Sequence, residues 1–202
     1  MHQEVPTSDI VFGVLVLIPL LIGAYCIGRL VAAWHNRRYT AAWSPLIALI
    51  NGTVRNNSGG DVSWLDGIYQ GRPVQASMSP NSGRSRFRGD NIRYNDFSVE
   101  LPNVPGDQDW KILNQAASFT SKVTGWRVVS EDLRLEARLQ ETGIMAELAR
   151  FDRPSFKYDA RTHTLQYRED ITPRWIPTPQ RFQEILNIML RLAAVSEEPS
   201  KA

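Results

Sequence analysis

Hydrophobic and polar positions along this chain fall into three regimes, and each predicts a different element. From Ile10 to Gly28 the run IVFGVLVLIPLLIGAYCIG holds 19 residues without a charge, 15 of them apolar when Gly and Pro are set aside. At ~1.5 Å of rise per residue the run covers about 28 Å, close to the ~30 Å hydrocarbon core of a bilayer. Leu30 to Ala33 extend it past Arg29, whose long side chain can snorkel to an interface. A transmembrane helix over 10–34 is the reading, because a buried core helix is usually shorter and interrupted by polar residues.

The next regime alternates short apolar runs with turn signals. Asn51-Gly52, Asn56 to Gly60, Asp66-Gly67, Gly71-Arg72-Pro73, Ser79 to Gly83 and Pro105-Gly106-Asp107 punctuate it. Between them Leu49–Arg55, Gly67–Met78, Ile92–Leu101, Trp110–Leu113 and Trp126–Val129 suit strands, and Phe97, Val99 and Leu101 alternate with Ser98 and Glu100. This half reads as an antiparallel meander. The final regime is mostly helical. Ser130 is placed to cap a helix whose first turn holds Glu131 and Asp132, with Gly143 as its stop and Ile144–Phe151 as a second short helix. Ser155–Tyr158 and Thr164–Tyr167 form a hairpin, and Thr178-Pro179 opens a helix with the stripe Phe182, Ile185, Leu186, Met189 and Leu192.

Together these predict an α+β chain: one N-terminal transmembrane helix, then a single domain with an antiparallel sheet and about three helices. The divisions are a short tail over 1–9, the transmembrane helix over 10–34, a juxtamembrane connector over 35–46, the α+β domain over 47–195 and a polar tail over 196–202.

Charge sets the orientation. The segment MHQEVPTSD before the apolar run carries Glu4 and Asp9 and no Lys or Arg, unlike the basic start of a signal peptide, so an uncleaved anchor is expected. Arg29, Arg37 and Arg38 follow the run, and the positive-inside rule puts the N-terminus outside and the domain in the cytoplasm of a bacterial cell, at the inner membrane. Trp34, Tyr39 and Trp43 suit an interfacial aromatic belt there. Within the helix Ala24, Gly28 and Ala32 recur every fourth residue, a stripe that lets a second helix approach closely, and Pro19 predicts a kink.

Composition narrows the chemistry. The net charge of +2, from 23 Lys and Arg against 21 Asp and Glu, argues against a strongly basic nucleic-acid binder. One cysteine, Cys26, excludes an internal disulfide and lies inside the apolar run, where a thiolate is disfavoured. His2 falls on the outer side of the expected membrane, His35 at its interface and His163 in a predicted turn, so the three are not expected to meet on one metal. Phosphate-loop, dinucleotide and nucleophile-elbow signatures are missing, and no cofactor or catalytic residue is assigned.

One local feature remains. Arg84, Arg86 and Arg88 alternate around Phe87 and are followed by Arg93, a cationic comb suited to an anionic headgroup or an acidic partner. The expected function is a non-enzymatic accessory or assembly subunit of a membrane complex. Its partners are the bilayer and another membrane protein or a second copy met through the helix. A membrane-tethered ligand-, lipid- or peptide-binding domain is the alternative. A membrane-associated hydrolase using carboxylates such as Asp66, Asp90 or Asp109 is the third.

Overall fold

A computed structural model describes residues 7–57, 62–81, 94–115, 125–148, 150, 155–171 and 177–197. The first described element is one helix, α1 (Thr7–Ile50), which contains Pro19 and Pro45. Within it lies a stretch long and apolar enough to cross a membrane. The segment expected to connect span and domain, 35–46, is part of this same helix. Asn51 ends it in the left-handed region, φ 46°, and the Gly52 N–H donates to the Ile47 carbonyl at 3.0 Å. That bond satisfies one of the carbonyls a helix end leaves open.

Eight strands follow: β1 (Thr53–Asn56), β2 (Ser63–Tyr69), β3 (Arg72–Asn81), β4 (Tyr94–Leu101), β5 (Trp110–Gln115), β6 (Gly125–Ser130), β7 (Ser155–Asp159) and β8 (Thr164–Ile171). They make one sheet of order β1-β2-β3-β4-β8-β7-β5-β6, antiparallel throughout. The fold is therefore α+β, as the sequence pattern indicates. The meander, however, holds only through β4: β8 inserts beside it, and β5 joins the sheet through β7. The run read as one strand over Gly67–Met78 is a hairpin. Gln70 and Gly71 both have positive φ, 49° and 80°, and so make the two-residue turn that matches strand twist between Tyr69 and Arg72. Leu49–Arg55 likewise splits between the end of α1 and β1.

The three later helices are α2 (Leu133–Glu141), α3 (Ile144–Leu148) and α4 (Pro179–Glu197). The cap of α2 is Asp132 rather than Ser130. The Asp132 carboxylate accepts the Arg134 N–H at 2.9 Å, while Ser130 ends β6 and accepts the Asp132 N–H at 3.0 Å. For α4 the cap is Thr178, whose hydroxyl oxygen accepts from the Arg181 N–H at 3.2 Å. All five stripe residues from Phe182 to Leu192 are buried.

The helices cover one face of the sheet. Leu65, Val74, Ala76, Phe97, Val99, Ile112, Phe156, Leu165 and Tyr167 point into that core and meet Trp43, Leu46 and Ile50 from α1 and the stripe of α4. Phe97 is its hub, with ring centroids 6.2 Å from Trp43 and Tyr167 and 6.3 Å from Phe182. The opposite face is mostly polar, as period-2 alternation predicts of a half-buried sheet, with Ile68, Leu113 and Val129 as exposed apolar exceptions.

α1 closes on β2 backbone to backbone. A Cβ on Gly67 would stand 2.4 Å from the Ile50 carbonyl oxygen, and one on Gly52 would stand 2.8 Å from the Asp66 carbonyl oxygen. Neither contact can be relieved by a rotamer change. Gly67→Ala is expected to lower unfolding free energy by about 1–3 kcal/mol through overpacking. Chemical denaturation checks this, and a variant as stable as the parent would show that helix and strand can separate freely.

Candidate functional site

The most informative place in the molecule is where α1 changes its environment. From Leu15 to Trp34 its large apolar side chains stand open, with Leu15, Leu20, Tyr25, Leu30 and Trp34 all more than half exposed. Nine residues later Trp43 is fully buried, and Leu46 and Ile50 with it. Leaving one large aliphatic side chain in water rather than in an apolar phase costs about 1.5–3 kcal/mol. The first half of the helix thus presents a surface that needs covering, while the second half is already covered by the domain.

The stripe expected to pack a second helix lies on that open half. Ala24 and Gly28 are exposed and Ala32 is half-buried, and a Cβ on Gly28 would meet nothing within 4 Å. The turn between open and covered halves is charged. Arg37 and Arg38 are exposed, and the Arg38 guanidinium sits over the Trp34 ring, 5.5 Å from its centroid.

Trp43 fixes the helix to the sheet. Its indole N–H donates to the Ser63 hydroxyl at 2.8 Å, and both residues are fully buried at the start of β2. Beside them the Asn56 amide donates to the Thr40 hydroxyl at 3.4 Å. At this same end of the sheet β3 finishes at Asn81 opposite the start of β4 at Tyr94. Arg84, Arg86, Arg88 and Arg93, the cationic comb of the sequence, fall between those two strands and lie outside the described residues. Glu169 completes this end. It is buried, accepts the Tyr167 hydroxyl at 2.6 Å, and lies 4.0 Å from the Arg181 guanidinium. Burial, reinforced by Glu169, pushes the Tyr167 phenol far up, so it acts as a neutral donor.

A hollow of about 150 Å³ opens at the other end of the sheet between the loop before β5, α2 and the end of α4. Trp110 and Tyr158 stack on its inner side with centroids 6.0 Å apart. The Tyr158 hydroxyl donates to the Val104 carbonyl at 2.8 Å, and its phenol is raised by burial and by Asp107, Asp109 and Asp159 nearby. Two of the acids around this hollow are already matched: Asp132 binds Arg138 at 2.6 Å, and Glu197 binds Arg72 at 2.5 Å.

Of the carboxylates singled out from the sequence, Asp66 and Asp109 lie far apart. Asp66 lies on β2, bound to Arg55 and accepting the Gln75 amide at 2.6 Å. Asp109 precedes β5 and accepts the Ala160 N–H at 2.7 Å. Four strands separate β2 from β5, about 24 Å at the usual strand spacing. Asp90 lies outside the described residues. His163 stands at the end of the β7–β8 turn with Nδ1 3.5 Å from the Tyr158 hydroxyl. Among the described residues no group of three or more His, Cys, Asp or Glu is placed to hold a metal.

No protein-family model, curated protein or solved structure matches this chain. Its chemistry must therefore be read from these residues alone. Sequence reasoning assigned Trp43 to an interfacial belt, whereas the structure buries it as the pin between helix and sheet. The available signal was spacing, since Trp43, Leu46 and Ile50 recur at three and four residues beyond the apolar run.

Two outcomes follow. Ser63→Ala leaves the buried Trp43 N–H without its acceptor and is expected to cost about 1–3 kcal/mol of stability in a denaturation experiment. On the acid side, the Arg55 guanidinium holds Asp66 below the usual carboxylate range, and the Lys157 ammonium does the same for Asp159. Their contribution is full above a pH of about 4 and is lost as pH falls through the depressed folded values. A double variant, Asp66→Asn with Asp159→Asn, should show a flatter loss of Tm as pH falls from about 5 to about 2.

Proposed function

We propose that this chain is a single-pass inner-membrane protein, N-terminus outside and α+β domain in the cytoplasm, that serves as an accessory or assembly subunit of a membrane complex. The observation that carries this reading is the continuity of α1, open and apolar in its first half and locked into the domain core in its second. The five helical steps from Arg38 to Trp43 rise about 7.5 Å, so such a domain is held against the bilayer surface rather than swinging on a tether. Orientation rests on Arg29, Arg37 and Arg38, which follow the apolar run.

The subunit role is supported by the exposed stripe of Ala24, Gly28 and Ala32. In lipid, where there is no hydrophobic drive between helices, close backbone approach at small residues is a main source of association. Because α1 is rigidly joined to the sheet, a partner gripping the stripe also fixes the pose of the cytoplasmic domain.

Extraction in a mild detergent followed by mass determination tests the proposal. The expected result is a particle heavier than one 22.9 kDa chain with its micelle. Gly28→Leu, which keeps the helix apolar but blocks close approach, should lower recovery of the partner about tenfold, equivalent to ~1.4 kcal/mol. A monomeric parent with nothing co-purifying would overturn the subunit role.

A further inference from the structure

The polar face of the sheet carries an electrostatic conflict that its own side chains do not resolve. Cross-strand register sets Lys111 of β5 directly opposite Lys157 of β7, and Lys157 opposite Gln166 of β8. In the neighbouring row Arg127 of β6 faces Leu113, Leu113 faces Ser155, and Ser155 faces Arg168. Side chains directly opposite in an antiparallel pair have Cβ atoms about 4.5–5.5 Å apart, and like charges there are destabilising.

Only part of this charge is met. Lys157 reaches Asp159 at 3.1 Å, and Arg168 binds both carboxylate oxygens of Asp96, one of them through Nε at 2.8 Å. Lys111 and Arg127 are exposed and make no ion pair among the described residues. Among Lys111, Lys157 and Arg168 lies a hollow of about 180 Å³, lined also by Leu113, Ser155 and Gln166, with no acid in its wall.

We infer that this hollow binds a phosphate-bearing ligand. Two ammonium groups and a guanidinium from three different strands surround one volume, and a multiply charged tetrahedral anion uses donors from several directions better than a planar carboxylate does. Leu113, 39% exposed, supplies an apolar wall for the carbon part of a phosphate ester. The shared chemistry has two sources, a soluble phosphate ester or the phosphate of a lipid headgroup. The row through Arg168, Ser98, Ser77 and Trp64 ends one residue from Ser63, so the hollow lies near the level at which Trp43 pins α1. The inference holds whether or not α1 has a partner helix.

Lys111 is a residue whose charge lowers stability and serves the ligand, a combination that separates binding from folding. Calorimetric titration of the full chain in maltoside micelles, at low salt, uses two probes: inorganic phosphate and a short-chain, water-soluble phosphatidic acid. Saturable binding of either is expected, and the tighter probe identifies the source. Lys111→Gln should weaken it about tenfold. Lys111→Glu should abolish binding while raising Tm, because it converts the opposed pair with Lys157 into an attractive one. Arg161→Gln, in the exposed turn after β7, should bind like the parent. No binding of either probe, or binding unchanged in both Lys111 variants, would overturn the site.

Discussion

The hydrogen bond from the Trp43 indole to Ser63, sealed beneath the last two turns of α1, is the constraint on which the rest of the arrangement depends. It is buried on both sides, so losing either partner leaves a polar group without solvent or a hydrogen-bond partner. It also sets the depth at which the helix sits on the sheet. With Trp43 against β2, Ile50 comes down on Gly67, where the backbones are too close to admit a Cβ. Helix and strand are thereby locked at two points seven residues apart.

From that lock the core follows. Trp43 meets Phe97, Phe97 meets Tyr167 and Phe182, and Tyr167 meets Phe156 at 5.1 Å, an aromatic chain that ties α1, four-strand meander, inserted β8 and α4 into one body. Edge-to-face geometry in three of these contacts adds modestly to the area they bury. The same register that aligns the aromatic residues inside also aligns Lys111 with Lys157 outside, since side chains alternate faces along every strand. Core and candidate ligand site are thus two consequences of one pairing pattern.

Much of this was legible beforehand where a signal is local. The Thr178-Pro179 start of α4, its apolar stripe, the β7–β8 hairpin and the alternation in β4 all follow from spacing within a few residues. Boundaries that depend on neighbours were not. Ser130 and Asp132 are both competent caps, and only the end of β6 decides between them. The β2–β3 turn at Gln70-Gly71 carries its glycine marker, but it lies inside a run whose apolar content reads as one strand, and Gln70 is a rare residue in the left-handed region. The place of β8 beside β4 and the opposition of two lysines from different strands are long-range facts, and no window along the chain contains them. The comb of Arg84, Arg86, Arg88 and Arg93 lies within ten residues of chain and is visible there, whereas Lys111, Lys157 and Arg168 are brought together by the sheet.

Central to the account is that α1 carries one rigid helix from an apolar span into a domain core. Pulsed electron resonance between nitroxides at Ile22 and Ile68, both exposed, in a Cys26→Ala background in lipid nanodiscs measures that rigidity directly. A single narrow distance distribution is predicted, and it should broaden in Trp43→Ala. A broad distribution in the parent would contradict the account, because it would place a flexible joint where the helix is continuous.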